Sequence, residues 1–597
     1  MKFLGCKTRN ELMSGRMVKK TANKYCSSEN WRIHFLALLI FLISGIVITR
    51  LYCLQVLAYE NYVEIARDQH QVFKELMPSR GSIFLRDKNG GKYPLAINKN
   101  YPMVYAVPRE IGDHEKVVYA LSSILGMSED DIRKKISNPD DVFEIIKHRL
   151  SDEESLKIKQ LDDLGIKLVD ESFRYYVGGE LASQVVGFFG SDGEKFRGRY
   201  GVEAWWEDSL RGEPGSLSQE RDAAGRWISI ADRQLNPAKQ GVDLVLTMDY
   251  AVQYEVEKIL REAMEKHGAD DGAVLVMQPK TGKILAMAGW PTFNPNEYSN
   301  VEDMSTFLNP SISIPYEPGS IFKPVTMAIG IDDGKIEPDT EYVDNGFVKE
   351  AGYTIKNSED KVYGKQTMTQ VLEESINTGV IFVEKSVGNK NFSQYVSRFG
   401  FGEKSGIDLP GESAGNISNL KAINRDIQFF TASFGQGITA TPLQMANAFS
   451  VIANGGVLMK PQIIDKIVYT DGEEDDIAPV EIRRVITEET AKKVSQMLRS
   501  VVVNGHGKRA DVAGYLVGGK TGTAQVAKMD SKGYEDGMTI GSFAGFAPLD
   551  DPMFTVLVKI TNPKDVQWAE SSAAPAFGKI MKFLLEYYDV KPTEVVE

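Results

Sequence analysis

The chain has 597 residues, 42% of them apolar and 25% charged, with a net charge of −13. These proportions exclude a disordered, collagen-like or many-span membrane chain, and the acidity argues against a nucleic-acid-binding body. The three cysteines, Cys6, Cys26 and Cys53, all lie within the first 53 residues, and there are six histidines, so the bulk of the chain has no thiol nucleophile, disulfide or Cys-bound metal.

The N-terminus differs in charge from the rest. Residues 1–32 hold eight Lys or Arg against Glu11 and Glu29. An apolar run follows, and its Ile33–Leu54 stretch is about 33 Å long as a helix, enough to cross a bilayer core. Arg50 lies near its far end, where a long side chain can snorkel to the interface. The basic flank predicts a cytoplasmic N-terminus and an exported, acidic remainder. No small-x-small cleavage site is evident, and Leu51 and Tyr52 before Cys53 do not suit a lipoprotein signal, so the span reads as an uncleaved single-pass anchor.

Residues 55–235 read as mixed α/β. Helices are expected in KVVYALSSILG and in the charged run Asp130–Leu161. Two strands are expected within Met77–Asn98, around the turn Lys88-Asn89-Gly90-Gly91. A second domain begins near Val242, with DLVLTMD as a strand, YAVQYEVEKILREAMEKH as an amphipathic helix and GAVLVMQPKTGKILAMAG as a hairpin. Helices dominate from Ile321 to about Asn454, and acidic Asp471–Asp476 reads as a solvated loop. Strands return in YLVGGKTGTAQ, TIGSFAGFAPL and MFTVLVKIT, before a last helix, APAFGKIMKFLLEYY. Strands at both ends of a helical block predict one sheet built from both ends and packed by helices.

Three separated places carry chemistry. In YEPGSIFKPVTMAIGI, Ser320 opens a helical run and Lys323 faces the same side one turn on. A lysine in a partly dry cleft can lose its proton and act as a base, so the pair is a candidate activated nucleophile. In VLEESINTGVIFVEK, the Ser375 hydroxyl could relay a proton and the Asn377 carboxamide could hold a substrate amide. In GGKTGTAQ, Thr521 and Thr523 share one side of a strand, Gly522 leaves room for substrate, and Lys520 supplies charge for a carboxylate. Each motif alone is weak. Unrelated copies occur at Ser358–Lys361, at Ser28–Asn30 and at Lys280–Gly282. The ordered set, each member in suitable local structure, is what carries weight.

From Tyr62 to Pro592 the chain resembles the class B penicillin-binding proteins, the monofunctional D,D-transpeptidases of bacterial cell-wall synthesis. Beyond the three motifs, the resemblance rests on RGSIFLRDKNG (with Leu85 and Lys88 at less typical positions), GRYGVEAWWEDSLRG, NPSISIPYEPGSIFKPVTM, FGFGEKSGIDLPGE and GSFAGFAPLDDP. It implies an α+β architecture: a cytoplasmic tail (1–32), one transmembrane helix (33–54), an elongated mixed α/β pedestal of dimerisation type (55–235), a transpeptidase domain of β-lactamase-like antiparallel sheet packed by helices (236–590), and a short tail (591–597) with no further module. It also implies acyl transfer on stem peptides ending in D-Ala-D-Ala. Ser320 would be the nucleophile and Lys323 its base, Ser375 the proton relay and Asn377 the amide holder. Lys520, Thr521, Gly522 and Thr523 would bind the terminal carboxylate end, and the backbone N–H groups of Ser320 and Thr523 would form the oxyanion hole. No metal or cofactor is expected, and β-lactams would acylate Ser320. His506, just before the third motif, reads as a loop residue, with a place at the cleft rim as the alternative.

The resemblance favours the septal, cell-division type over the elongation type. Either implies a polytopic membrane glycosyltransferase partner reached through anchor and pedestal. A serine β-lactamase or β-lactam sensor shares the motifs but has no need of the anchor and pedestal. A non-enzymatic scaffold would have no need of Ser320 or Lys520.

Overall fold

The computed structural model describes residues 30–59, 71–161, 165–191, 193, 195–220, 234–527 and 533–593. The basic tail up to residue 29, Cys6, Cys26, Ser28 and residues 594–597 lie outside the described residues. The chain divides into two units, Met1–Leu76 with Gly215–Pro237, and Met77–Pro214 with Ala238–Glu597.

In the smaller unit, the helix Asn30–Tyr52 runs on through a wider turn at Cys53–Leu57. The apolar length, Trp31–Leu57, is 27 residues and none of it is packed inside the protein. One N-terminal helix is therefore long and apolar enough for a single-pass anchor. The same unit holds an antiparallel sheet in which Gly215–Glu220 lies between Gln71–Leu76 and Gln234–Asn236.

The larger unit contains two main sheets. The first has seven strands, in the order Glu474–Asp476, Ile464–Val468, Asp243–Asp249, Ile83–Arg86, Lys92–Ala106 and Glu144–Lys147, with Ile166–Tyr176 also paired to Lys92–Ala106. The predicted turn at Lys88–Gly91 does join two antiparallel strands. Three expectations are corrected here. DLVLTMD is a strand, but it pairs parallel with Ile83–Arg86 and antiparallel with Ile464–Val468, apart from the sheet at the third motif. The charged run after Asp130 is two short helices, Glu129–Lys135 and Asp152–Lys159, separated by the strand Glu144–Lys147. The acidic loop forms the edge strand Glu474–Asp476, because Lys92 and Lys466 both pair with Glu474 and neutralise it there.

The second sheet is antiparallel, ordered Ile284–Trp290, Asp271–Met277, Phe554–Thr561, Tyr534–Ala547, Gly518–Ala527. It is built from both ends of its region, as expected. Its strands Asp271–Met277 and Phe554–Thr561 are apolar on both faces, and side-chain alternation sorts the sheet's apolar residues into two cores. Val274, Val276, Val556, Val558 and Phe543 pack with the helices Tyr250–His267 and Ala573–Tyr587. Leu275, Met277, Leu557, Ala544 and Phe546 face the helical lobe that includes Lys323–Asp332, Pro442–Ala453 and Glu488–Val503. That lobe is less purely helical than its sequence suggests, since four short strands lie between Glu341 and Thr367. Gly518–Ala527 is the sheet's edge, and the catalytic candidates gather along it.

Candidate active site

The nucleophile turn is shaped by glycine. Gly319 has φ +57°, a left-handed conformation that costs glycine nothing. Its N–H bonds the carbonyl of Gly435 at 3.0 Å, and a Cβ at Gly435 would lie 2.3 Å from the Gly319 oxygen. From there Gly319–Phe322 forms a 3₁₀ turn, and the α-helix begins at Lys323, with Pro324 in its first turn. Three residues per turn eclipse positions i and i+3, which puts Ser320 and Lys323 on one line. The Ser320 N–H, at the open end of this turn, has no backbone partner among the described residues.

Lys323 is fully buried. Its Nζ is hydrogen-bonded to the backbone oxygen of Ser375, to Ser375 Oγ at 3.2 Å and to Asn377 Oδ1 at 2.8 Å. No hydrogen bond joins it to Ser320 in this resting geometry. Burial, and secondarily the charge of Lys520, hold the Lys323 pKa well below the ordinary lysine value. Lys520 is also fully buried. Burial pushes its pKa down to about 7 against the opposing pull of Glu570. Its Nζ lies 3.1 Å from the Thr521 carbonyl oxygen and 3.3 Å from Thr521 Oγ1. Among the described residues neither lysine has a carboxylate salt-bridge partner.

Ser375 sits at φ +55° just before the helix Asn377–Val387. For a residue with a Cβ this is a strained backbone, of the kind found at ligand sites. Asn377 is already engaged at both ends of its amide, accepting from Lys323 and donating to the Lys356 carbonyl at 3.0 Å. On the edge strand, the room at Gly522 is filled from within: a Cβ there would lie 2.9 Å from the Ile321 nitrogen and 3.0 Å from Ser542 Oγ. Gly522 thus lets the strand approach the nucleophile turn, where the sequence suggested room for substrate.

Ser320, Ser375, Thr521 and Thr523 line one cleft of about 230 Å³. Three further regions form its wall, two of them missed by the sequence reading and the third only its alternative. The first is the loop from Asn357 to Tyr363, which contains the discounted Ser358–Lys361 pattern as a rim turn. Buried Asp344 organises it, accepting from Thr378 Oγ1, Asn357 Nδ2 and the Tyr363 N–H. The second is Trp568–Glu570, tied to the strand by the Ala569 N–H, which donates to Thr523 Oγ1 at 3.2 Å. The third is His506, at the rim in the less favoured of its two readings, with Nδ1 3.2 Å from Glu570 Oε2. None of these has a sequence signature, because loops reach a cleft through folding alone.

A serine one turn from a deprotonatable lysine, facing an edge strand across a polar cleft, defines a serine acyl-transfer enzyme. Residues 272–582 match the penicillin binding protein transpeptidase domain, and residues 75–246 match the penicillin-binding protein dimerisation domain. Stage V sporulation protein D of Bacillus subtilis is 36% identical over 94% of this chain and 86% of its own length. Peptidoglycan D,D-transpeptidase FtsI of Escherichia coli is 29% identical over 96% and 94%. Penicillin binding protein 3 of Mycobacterium tuberculosis, solved in complex with aztreonam, superposes with a TM-score of 0.67 at 28% identity, covering 87% of this chain and 98% of its own. The chain belongs to the penicillin-binding proteins, and within them to the class B peptidoglycan D,D-transpeptidases.

Proposed function

We propose that this transpeptidase acts through Ser320. As Oγ attacks the penultimate D-Ala carbonyl carbon, neutral Lys323 takes the hydroxyl proton. The oxyanion develops between the N–H groups of Ser320 and Thr523, where one donor is worth roughly 3–4 kcal/mol. The C–N bond breaks, Ser375 passes the proton held by Lys323 on to the departing D-Ala amine, and the donor peptide remains as an ester on Ser320. An amine of a neighbouring stem peptide then attacks that ester and forms the crosslink. Lys520, Thr521 and Thr523 receive the terminal carboxylate. Asn377 turns its amide from Lys356 to the substrate backbone. The observation that carries this reading is Lys323, wholly buried beside Ser320, bonded to Ser375 and Asn377 and lacking any carboxylate. β-Lactams would acylate the same serine. A fluorescent penicillin should label the protein covalently and leave Ser320→Ala unlabelled; persistent labelling of that variant would reject Ser320.

The proposed organisation is an anchor at 33–54 with the N-terminus in the cytoplasm, a pedestal at 55–235 and a transpeptidase domain at 236–590. Anchor and pedestal would engage a polytopic membrane glycosyltransferase. The Ser-x-Asn second motif and FGFGEKSGIDLPGE favour septal synthesis. The 36% identity to a protein named for sporulation supports spore-wall synthesis as the second reading. Depletion should give filaments for the septal role, normal growth with defective spores for the second, and rounded cells for elongation.

A further inference from the structure

The reaction needs an incoming amine to surrender a proton, and the residues discussed so far all serve the donor peptide. The cleft offers one further base. His506 follows the long helix Glu488–Val503 and is held against the second motif. Gly505 packs so closely on that segment that a Cβ would lie 2.6 Å from the Glu373 oxygen. Ser500 Oγ and Asn504 Nδ2 both donate to Glu373 Oε1, two residues before Ser375. Glu570, in turn, adjoins Ala569, whose N–H is bonded to Thr523 Oγ1. The His506–Glu570 contact therefore joins a loop fixed to the second motif with a loop fixed to the third, and both residues line the cleft that contains Ser320.

The chemistry of the contact is directional. An ionised carboxylate only accepts, so His506 Nδ1 carries the hydrogen and Nε2 keeps its lone pair. A base oriented by a carboxylate is the arrangement that accepts protons in nucleophilic catalysis. The charged groups around it suit a cation. Glu570 touches it from the loop before the last helix, and Glu359 feels its charge from the Ser358–Asp360 turn. Lys361, paired with Glu359 at 2.7 Å, and Glu374 complete the charged lining of the cleft, while Lys508 and Arg509 follow His506 on its own loop.

We propose that His506, oriented by Glu570, is the acceptor-side base, and that this end of the cleft is the subsite for the ammonium-bearing side chain of the second stem peptide. This rests on the assignment of Ser320 as the acylated residue. Glu570 and Glu359 draw the ammonium in, and neutral His506 Nε2 removes one proton from it. The freed amine nitrogen bonds to the acyl carbon of the Ser320 ester. The C–Oγ bond then breaks, a second proton of that nitrogen passes by way of Lys323 to Oγ, and the amide product leaves with the one hydrogen that remains.

The test separates the two halves of the reaction in the full-length protein. Acylation is read with a fluorescent penicillin, and turnover with a thioester donor and either a diamino-acid acceptor or water. His506→Ala should acylate within about twofold of wild type, yet lose tenfold or more of aminolysis and the acid-side fall of its pH profile. Glu570→Gln should raise the KM for the cationic acceptor more than it lowers kcat. Unchanged aminolysis in His506→Ala would overturn the proposal. A parallel loss of acylation and aminolysis would also overturn it, showing that the loop merely props the cleft. Failure of Ser320→Ala to abolish labelling would strike the underlying assignment, a separately readable result.

Discussion

The larger unit buries charge in two opposite ways. Glu203 is wholly buried, and each of its carboxylate oxygens is bonded: Oε1 by Arg174 Nε at 2.6 Å and Tyr176 OH at 3.2 Å, Oε2 by Arg80 Nε at 2.8 Å. Burial pushes its pKa up, but Arg174 and Arg80 outweigh that and hold it below the usual carboxylate value. Lys323 and Lys520 are just as buried, yet neither is hydrogen-bonded to a carboxylate among the described residues, and burial pulls both pKa values down, with the charge of Lys520 adding to the effect at Lys323. The first arrangement keeps its ions and ties Arg80, Arg174 and Glu203 into one packed joint. The second drives its cations toward neutrality and so creates a base. Burial with an opposite charge makes structure here, and burial without one makes reactivity.

The comparison can be broken at either end. The largest effect is expected from Lys323→Ala, which should slow acylation by a fluorescent penicillin about 10²–10⁴-fold, as loss of a general base does, with little change in Tm. Glu203→Gln should do the reverse. It leaves buried Arg174 without its carboxylate, while Arg80 keeps Glu207 at 2.7 Å, and should cost roughly 3–5 kcal/mol in chemical denaturation, while the folded fraction keeps its acylation rate. Gly522→Ala tests the contact between strand and nucleophile turn. Its Cβ would meet Ile321 at 2.8–2.9 Å, and a shift of the turn by about an ångström should slow acylation on the order of 10²-fold.

The smallest and most diagnostic effect concerns Lys520. Folded, it holds its proton only up to about 7, whereas the unfolded side chain holds it to roughly 10.5. The unfolded chain binds more protons between those values, so stability rises with pH across that window, and the full cost of burying the cation is felt below it. Lys520→Met should therefore be inactive yet more stable than wild type by roughly 1–4 kcal/mol at or below pH 7. That advantage should fade as pH approaches about 10.5. Equal stability of the two proteins at every pH would remove the burial of a poorly compensated cation from the explanation.

The sequence was most legible where one short segment carries the whole signal. The apolar run Ile33–Leu54 was legible as a helix, and GAVLVMQPKTGKILAMAG and MFTVLVKIT as strands, which the structure has at Asn30–Tyr52, Asp271–Met277, Ile284–Trp290 and Phe554–Thr561. Ser320 and Lys323 could be paired because a single helical turn sets their spacing. Asp243–Asp249 was legible as a strand but not as a member of the other sheet, since backbone donors and acceptors are alike in every strand and do not name their partner.

What the sequence determined by itself was the chemistry on offer: a serine with a lysine one turn on, two further polar motifs, and an anchor ahead of them. Tertiary structure decided what those groups became. Lys323 meets Ser375 and Asn377 across more than fifty residues, and its lowered pKa comes from a burial that no local pattern encodes. Gly522 proved to be space for Ile321, the Ser358–Lys361 pattern a rim turn, and His506 a neighbour of Glu570. The physical reason is common to all three. Desolvation, close approach and charge proximity depend on distances through space, which only the packed chain sets.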